Sequence, residues 1–105
     1  MVVADTVVRA ARTLLTAAPG SRVILFGSAA RGDARPASDL DFRVIAPQVN
    51  ARRAEMVRLS DALRRLGVYA DVLVVSEKNF RELADFPGTV LYDAAREGIE
   101  FHGAA

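Results

Sequence analysis

Two aspartates, Asp39 and Asp41, flank Leu40 at the head of a run of strand-forming residues, Phe42, Val44 and Ile45. On a strand, residues two apart share a face, with Cα atoms about 6.5 Å apart. Aspartate is a poor strand former, so two on one face need a reason. Without a cation the two like charges repel. With Mg²⁺ they become hard oxygen ligands able to bridge a metal and a substrate's phosphates. An exposed edge strand with an acidic outer face accounts for the same pair with no ligand, so both readings stand at this point.

A third carboxylate, Asp71, is the only charge between Tyr69 and Val75. In so apolar a strand it is costly unless paired or bound to a metal. If that strand lies beside residues 39–45, Asp71 completes a cluster of three carboxylates. Two metals about 3.5–4 Å apart on such a cluster would activate an attacking hydroxyl and steady a leaving pyrophosphate. A salt bridge to an arginine is the alternative, with Arg43 the obvious candidate. Gly27-Ser28 directly follows the apolar run Val23–Phe26. Glycine allows a sharp turn and close approach of backbone N–H groups to a ligand. If Ser28 opens a helical turn, free N–H groups and a hydroxyl converge on a phosphate site. A plain strand-to-helix turn is the competing explanation.

Helical spacing of Val7, Ala11, Leu14, Leu15 and Ala18 predicts a helix over 4–18, ended by Pro19-Gly20. Val23–Phe26 reads as a strand buried on both faces. Residues 28–32 can form a helical turn, and Gly32, Asp33, Pro36 and Ser38 mark a loop. Residues 39–45 alternate, with Leu40, Phe42 and Val44 on one side and Asp39, Asp41 and Arg43 on the other. Met56, Leu59, Leu63 and Leu66 share one face of a helix over 50–66, with Gly67 as its C-cap. A third strand runs from Tyr69 to Val75. Short helices are expected at about 77–84 and 87–97, and a last strand over Ile99–His102. The expected fold is a small α/β (α+β) sandwich, a mixed sheet with helices mainly on one face, in a single domain spanning 1–105. The final Ala-Ala reads as a frayed tail.

The segment Gly27-Ser-Ala-Ala-Arg-Gly-Asp-Ala-Arg-Pro-Ala-Ser-Asp-Leu-Asp41 resembles the signature of the DNA polymerase beta-like nucleotidyltransferase superfamily. That signature is Gly-Ser, about ten residues, then Asp-x-Asp, and here ten residues separate Ser28 from Asp39. Ala30-Arg31-Gly32 and Ser38 look like its minimal nucleotidyltransferase branch. Asp71 stands where the family keeps its third carboxylate, so the resemblance covers nearly the whole chain. It implies a palm-type core and transfer of AMP from ATP to a hydroxyl. Asp39, Asp41 and Asp71 would hold Mg²⁺, two ions in the family pattern, and Asp71 would also help deprotonate the acceptor. Gly27 and Ser28 would hold the triphosphate, with Ser38 in the same nucleotide site and Arg31 as a further contact or a solvated loop cation. Arg35 and Lys78 read first as ordinary surface cations. Arg43 departs from the pattern, since an apolar residue often stands there. It can pair with Asp41 or Asp71, or touch a phosphate.

In the branch it resembles, the partner is often a small helical HEPN-type RNase toxin, silenced by AMP added to a tyrosine. The resemblance therefore implies an antitoxin with a protein partner, or a second copy of itself, supplying walls the short chain lacks. A binding-only antitoxin, and nucleotidyl transfer to a small molecule such as an antibiotic, are the alternatives.

Composition narrows the rest. The 105 residues are 51% hydrophobic and 26% charged, the balance of an ordinary globular domain. A net charge of +1 argues against general nucleic-acid binding, so any phosphate site must be local. The absence of cysteine excludes disulfides, thiolate zinc sites and thiol nucleophiles. The single histidine, His102, cannot build a multi-histidine metal site and reads as a solvated tail residue. No apolar run reaches the ~20 residues of a membrane helix. No signal peptide is evident, so no membrane association and a cytoplasmic location are expected.

Overall fold

The computed structural model describes residues 5–26, 40–83, 85 and 98–102. Helix α1 spans Asp5–Ala17, strand β1 Arg22–Phe26, strand β2 Leu40–Ala46 and helix α2 Arg52–Arg64. Strand β3 follows at Ala70–Ser76, helix α3 at Glu77–Leu83 and strand β4 at Ile99–His102. The four strands form one mixed sheet in the order β3-β2-β1-β4. β1 runs antiparallel to both β2 and β4, whereas β2 and β3 are parallel. A parallel pair needs a crossover connection, and α2 supplies it. The expected sheet with helices mainly on one face is the fold observed. The helix expected over 87–97 lies outside the described residues.

The period-two pattern of β2 decides how the layers form. Phe42 and Val44 face the helices and join Val7, Leu14, Val23, Leu25, Leu59, Leu63, Val72 and Val74 in the larger core. The opposite face is smaller and packs Ile24, Ile45 and Val75 against Phe80 of α3. β1 is thus covered on both sides, as its unbroken apolar run requires.

Three helix ends have an identifiable cause. Past α1, Gly20 adopts φ +80, where a residue with a Cβ is strained. After α2, the Val68 amide donates to the Leu63 carbonyl at 3.0 Å and Gly67 to Arg64 at 2.9 Å. With Gly67 at φ +76, these bonds form a Schellman motif. That turn moves Leu66 off the helical stripe, leaving it 40% exposed where the sequence pattern had assigned it to the core face. Helix α3 is capped by Ser76, whose Oγ accepts from the Asn79 amide at 3.1 Å. Arg22 ties the small face together, donating to Glu77 at 2.9 Å and to Glu100 at 3.4 Å. Its guanidinium lies over the Phe80 ring, 4.9 Å from the centroid.

Candidate active site

Parallel pairing of β2 with β3 sets Asp41 directly beside Asp71. Both carboxylates leave the sheet on the face opposite α1 and α2, on strands about 4.8 Å apart. On the other flank, Asp41 is the register partner of Phe26, the residue immediately before Gly27. One point of the sheet therefore gathers Asp41, Asp71 and the end of the strand leading into Gly27-Ser28. Gly27, Ser28, Arg31, Arg35, Ser38 and Asp39 themselves lie outside the described residues.

The structure corrects one part of the sequence argument. Asp71 is exposed, near the start of β3 at one edge of the described sheet, so burial does not make it costly. Among the described residues it has no salt-bridge partner. The buried charge is Arg43, only 8% exposed, and its partner is Asp41 rather than Asp71. Its guanidinium lies 5.4 Å from the centroid of the Phe26 ring, and its Nε is buried without a hydrogen-bond partner. Such an arginine is tolerated because a carboxylate and an aromatic face share its charge. Asp41 remains 31% exposed and so stays open to solvent on its free side. Lys78 is exposed on α3 and lies apart from the residues lining the cavity beside the carboxylates.

That cavity is an open groove of about 520 Å³, which wraps the outer edge of β3. Asp41, Arg43, Asp71 and Leu73 form its sheet side, and Arg53, Met56, Val57, Ser60 and Arg64 of α2 form the other. Motif reading did not find the α2 wall, because none of its residues belongs to a chemical signature. The available signal was topological: the helix joining two parallel strands must run alongside them.

Two carboxylates side by side on neighbouring strands of one sheet face are a donor set that suits a hard divalent cation. Among the described residues there is no cluster of three such ligands. A family model, nucleotidyltransferase domain, matches residues 7–101. The chain belongs to this family. Comparison with curated proteins finds none that matches the chain. The matched stretch of the nucleotidyltransferase domain holds the whole Gly27–Asp41 segment and Asp71, and it runs from α1 into β4. It belongs to the DNA polymerase beta-like superfamily, whose chemistry is the transfer of a nucleotidyl group. No described helix is long and apolar enough to cross a membrane.

Proposed function

We propose that this nucleotidyltransferase domain moves AMP from ATP onto a tyrosine hydroxyl of a partner protein, with Mg²⁺ bound by Asp39, Asp41 and Asp71. The observation that carries the reading is the register pairing of Asp41 with Asp71, beside the strand that runs into Gly27-Ser28. Gly27, Ser28, Arg31 and Ser38 would hold the triphosphate. In the transfer, the hydroxyl oxygen bonds to the α-phosphorus as the bond from that phosphorus to the bridging oxygen breaks. Pyrophosphate departs, and the hydroxyl proton passes to Asp71, whose exposure lets it return the proton to solvent. When bound, the cation supplies Lewis-acid stabilisation of the charge that develops on the phosphoryl oxygens.

The partner class follows from the likeness of Ala30-Arg31-Gly32 and Ser38 to the minimal nucleotidyltransferase branch. On that basis the protein is the antitoxin of a HEPN-type RNase toxin and works in the cytoplasm. The test is mass spectrometry of a co-purified partner before and after addition of Mg²⁺ and ATP. A gain of one AMP moiety on tyrosine, absent with Asp41→Asn, is the expected result. No gain with a folded, partner-bound protein would refute it.

A second reading is favoured by one observation, the pairing of Arg43 with Asp41. If that contact persists against cations, the domain neutralises its partner by occlusion alone. Complex formation would then be equal in the native protein and Asp41→Asn, with no mass gain in either.

A further inference from the structure

The two flanks of the carboxylate pair differ. On the β1 side lies the strand leading to Gly27-Ser28, the segment assigned above to the nucleotide. On the β3 side lies the groove walled by α2, which that assignment does not use. Its α2 wall carries more positive charge than it neutralises. Helix α2 contains Arg52, Arg53, Arg58 and Arg64 against Glu55 and Asp61. Arg58 is held by Glu55 at 2.7 Å, and the Arg52 Nε donates to the Val74 carbonyl on β3 at 2.7 Å. Neither lines the groove. The two that line the groove are less committed. Arg64 reaches Asp61 only at 3.4 Å with 59% of its side chain exposed, and Arg53 has no ion-pair partner among the described residues. Between them along α2 the lining holds Met56, Val57, the latter 55% exposed, and Ser60.

We infer that this groove is the acceptor subsite and takes an acidic polypeptide segment, with the reacting hydroxyl delivered to Asp71 and acidic neighbours met by Arg53 and Arg64. The inference rests on the proposed transfer reaction for the role of the bound segment, although the binding preference stands by itself. A polypeptide fits the surface better than a nucleic acid strand. The described lining contains no aromatic side chain on which a base could stack, and the chain's net charge is only +1. The volume of about 520 Å³ is that of a site for a few side chains. β3 is also an edge strand of the described sheet, so a peptide beside it meets backbone donors and acceptors, the Val74 carbonyl held by Arg52 apart, as well as side chains.

Fluorescence anisotropy of the full chain at low salt tests this with three probes of equal length: a labelled peptide with aspartates and glutamates around one tyrosine, its lysine counterpart, and a single-stranded oligonucleotide. The acidic peptide should bind about five- to tenfold more tightly than the basic one, a range consistent with two partly exposed charge pairs. Arg53→Glu/Arg64→Glu should reverse the preference. Arg12→Glu, on α1 away from the groove, should leave it unchanged. Equal binding of both peptides, or a preference untouched by the double variant, overturns the proposal. So does tighter binding of the oligonucleotide that the double variant abolishes. Transfer to tyrosine is scored separately with Mg²⁺ and ATP. Transfer without charge preference sinks the subsite and spares the reaction, whereas charge-selective binding without transfer does the reverse.

Discussion

Asp41 has two possible partners, the guanidinium of Arg43 and a divalent cation beside Asp71, and its one carboxylate cannot serve both fully. The ion pair involves a nearly buried arginine whose Nε finds no other acceptor, so the contact with Asp41 is a large part of what supports that charge. Replacing Arg43 by Met keeps the bulk over Phe26 and frees the carboxylate. Mn²⁺ binding by calorimetry should then tighten several-fold, up to about tenfold, because a charge-assisted hydrogen bond contributes roughly 1.5–3 kcal/mol and part of it is regained by hydration. An unchanged affinity would mean that the pair does not compete with the metal. Asp41→Asn bears on the reaction itself. Cation stabilisation of the transition state amounts to several kcal/mol, so turnover should fall by about a hundredfold or more. The sequence allowed Arg43 either carboxylate as partner. The choice of Asp41 depends on a side-chain packing over Phe26 that residue types alone do not reveal.

Helix boundaries and the face of β2 were legible because each has a local cause. Alternation marks β2, Pro19-Gly20 stops α1, and Gly67 supplies the positive φ that closes α2. Strand order was not legible, since it depends on pairings between distant segments. For that reason Asp71 is expected from its apolar neighbours to be costly unless paired or metal-bound, whereas it lies exposed on an edge strand. Two predictions belong to α2. Gly67→Ala should cost about 1 kcal/mol in chemical denaturation, because φ +76 is strained for alanine even though no neighbouring atom lies within 4 Å of the added Cβ. A loss well below that would mean that the turn relaxes. At the exposed flank, the hydrogen bond from Arg58 holds the Glu55 carboxyl below its ordinary pKa. A lowered folded-state pKa contributes stability above the normal glutamate range and loses it as the pH falls. Glu55→Gln should therefore cost about 0.3–0.5 kcal/mol near neutrality, and the gap from the native protein should close on acidification. Thermal melts across that range read it directly.

For the whole molecule, the two cores have different duties. The larger one, between the sheet and α1 with α2, holds Phe42, Leu14, Leu59 and Leu63 with no exposed area and sets overall stability. Phe42→Ala should cost about 3–5 kcal/mol and bring a domain of this size close to unfolding, visible as a large drop in denaturant midpoint. The smaller core beneath α3 supports the strand face that carries Asp41 and Arg43. The site thus stands on a sheet anchored from behind, with one flank toward the Phe26 end of β1 and the other toward the α2 groove. That Asp71 could stand beside the 39–45 strand was readable from residue types and spacing, and the register of β2 with β3 sets it beside Asp41. The groove was not, because it is made by a helix lying against a strand edge rather than by any motif.

The most direct measurement is incubation of the purified protein with ATP labelled in its α-phosphate, Mg²⁺ and an extract of its own cells, alongside Asp39→Asn/Asp41→Asn. The account predicts a labelled protein band that disappears in the double variant and maps to a tyrosine. Label confined to a nucleic acid or a small molecule, or no label at all with folded protein and its partner present, would contradict it.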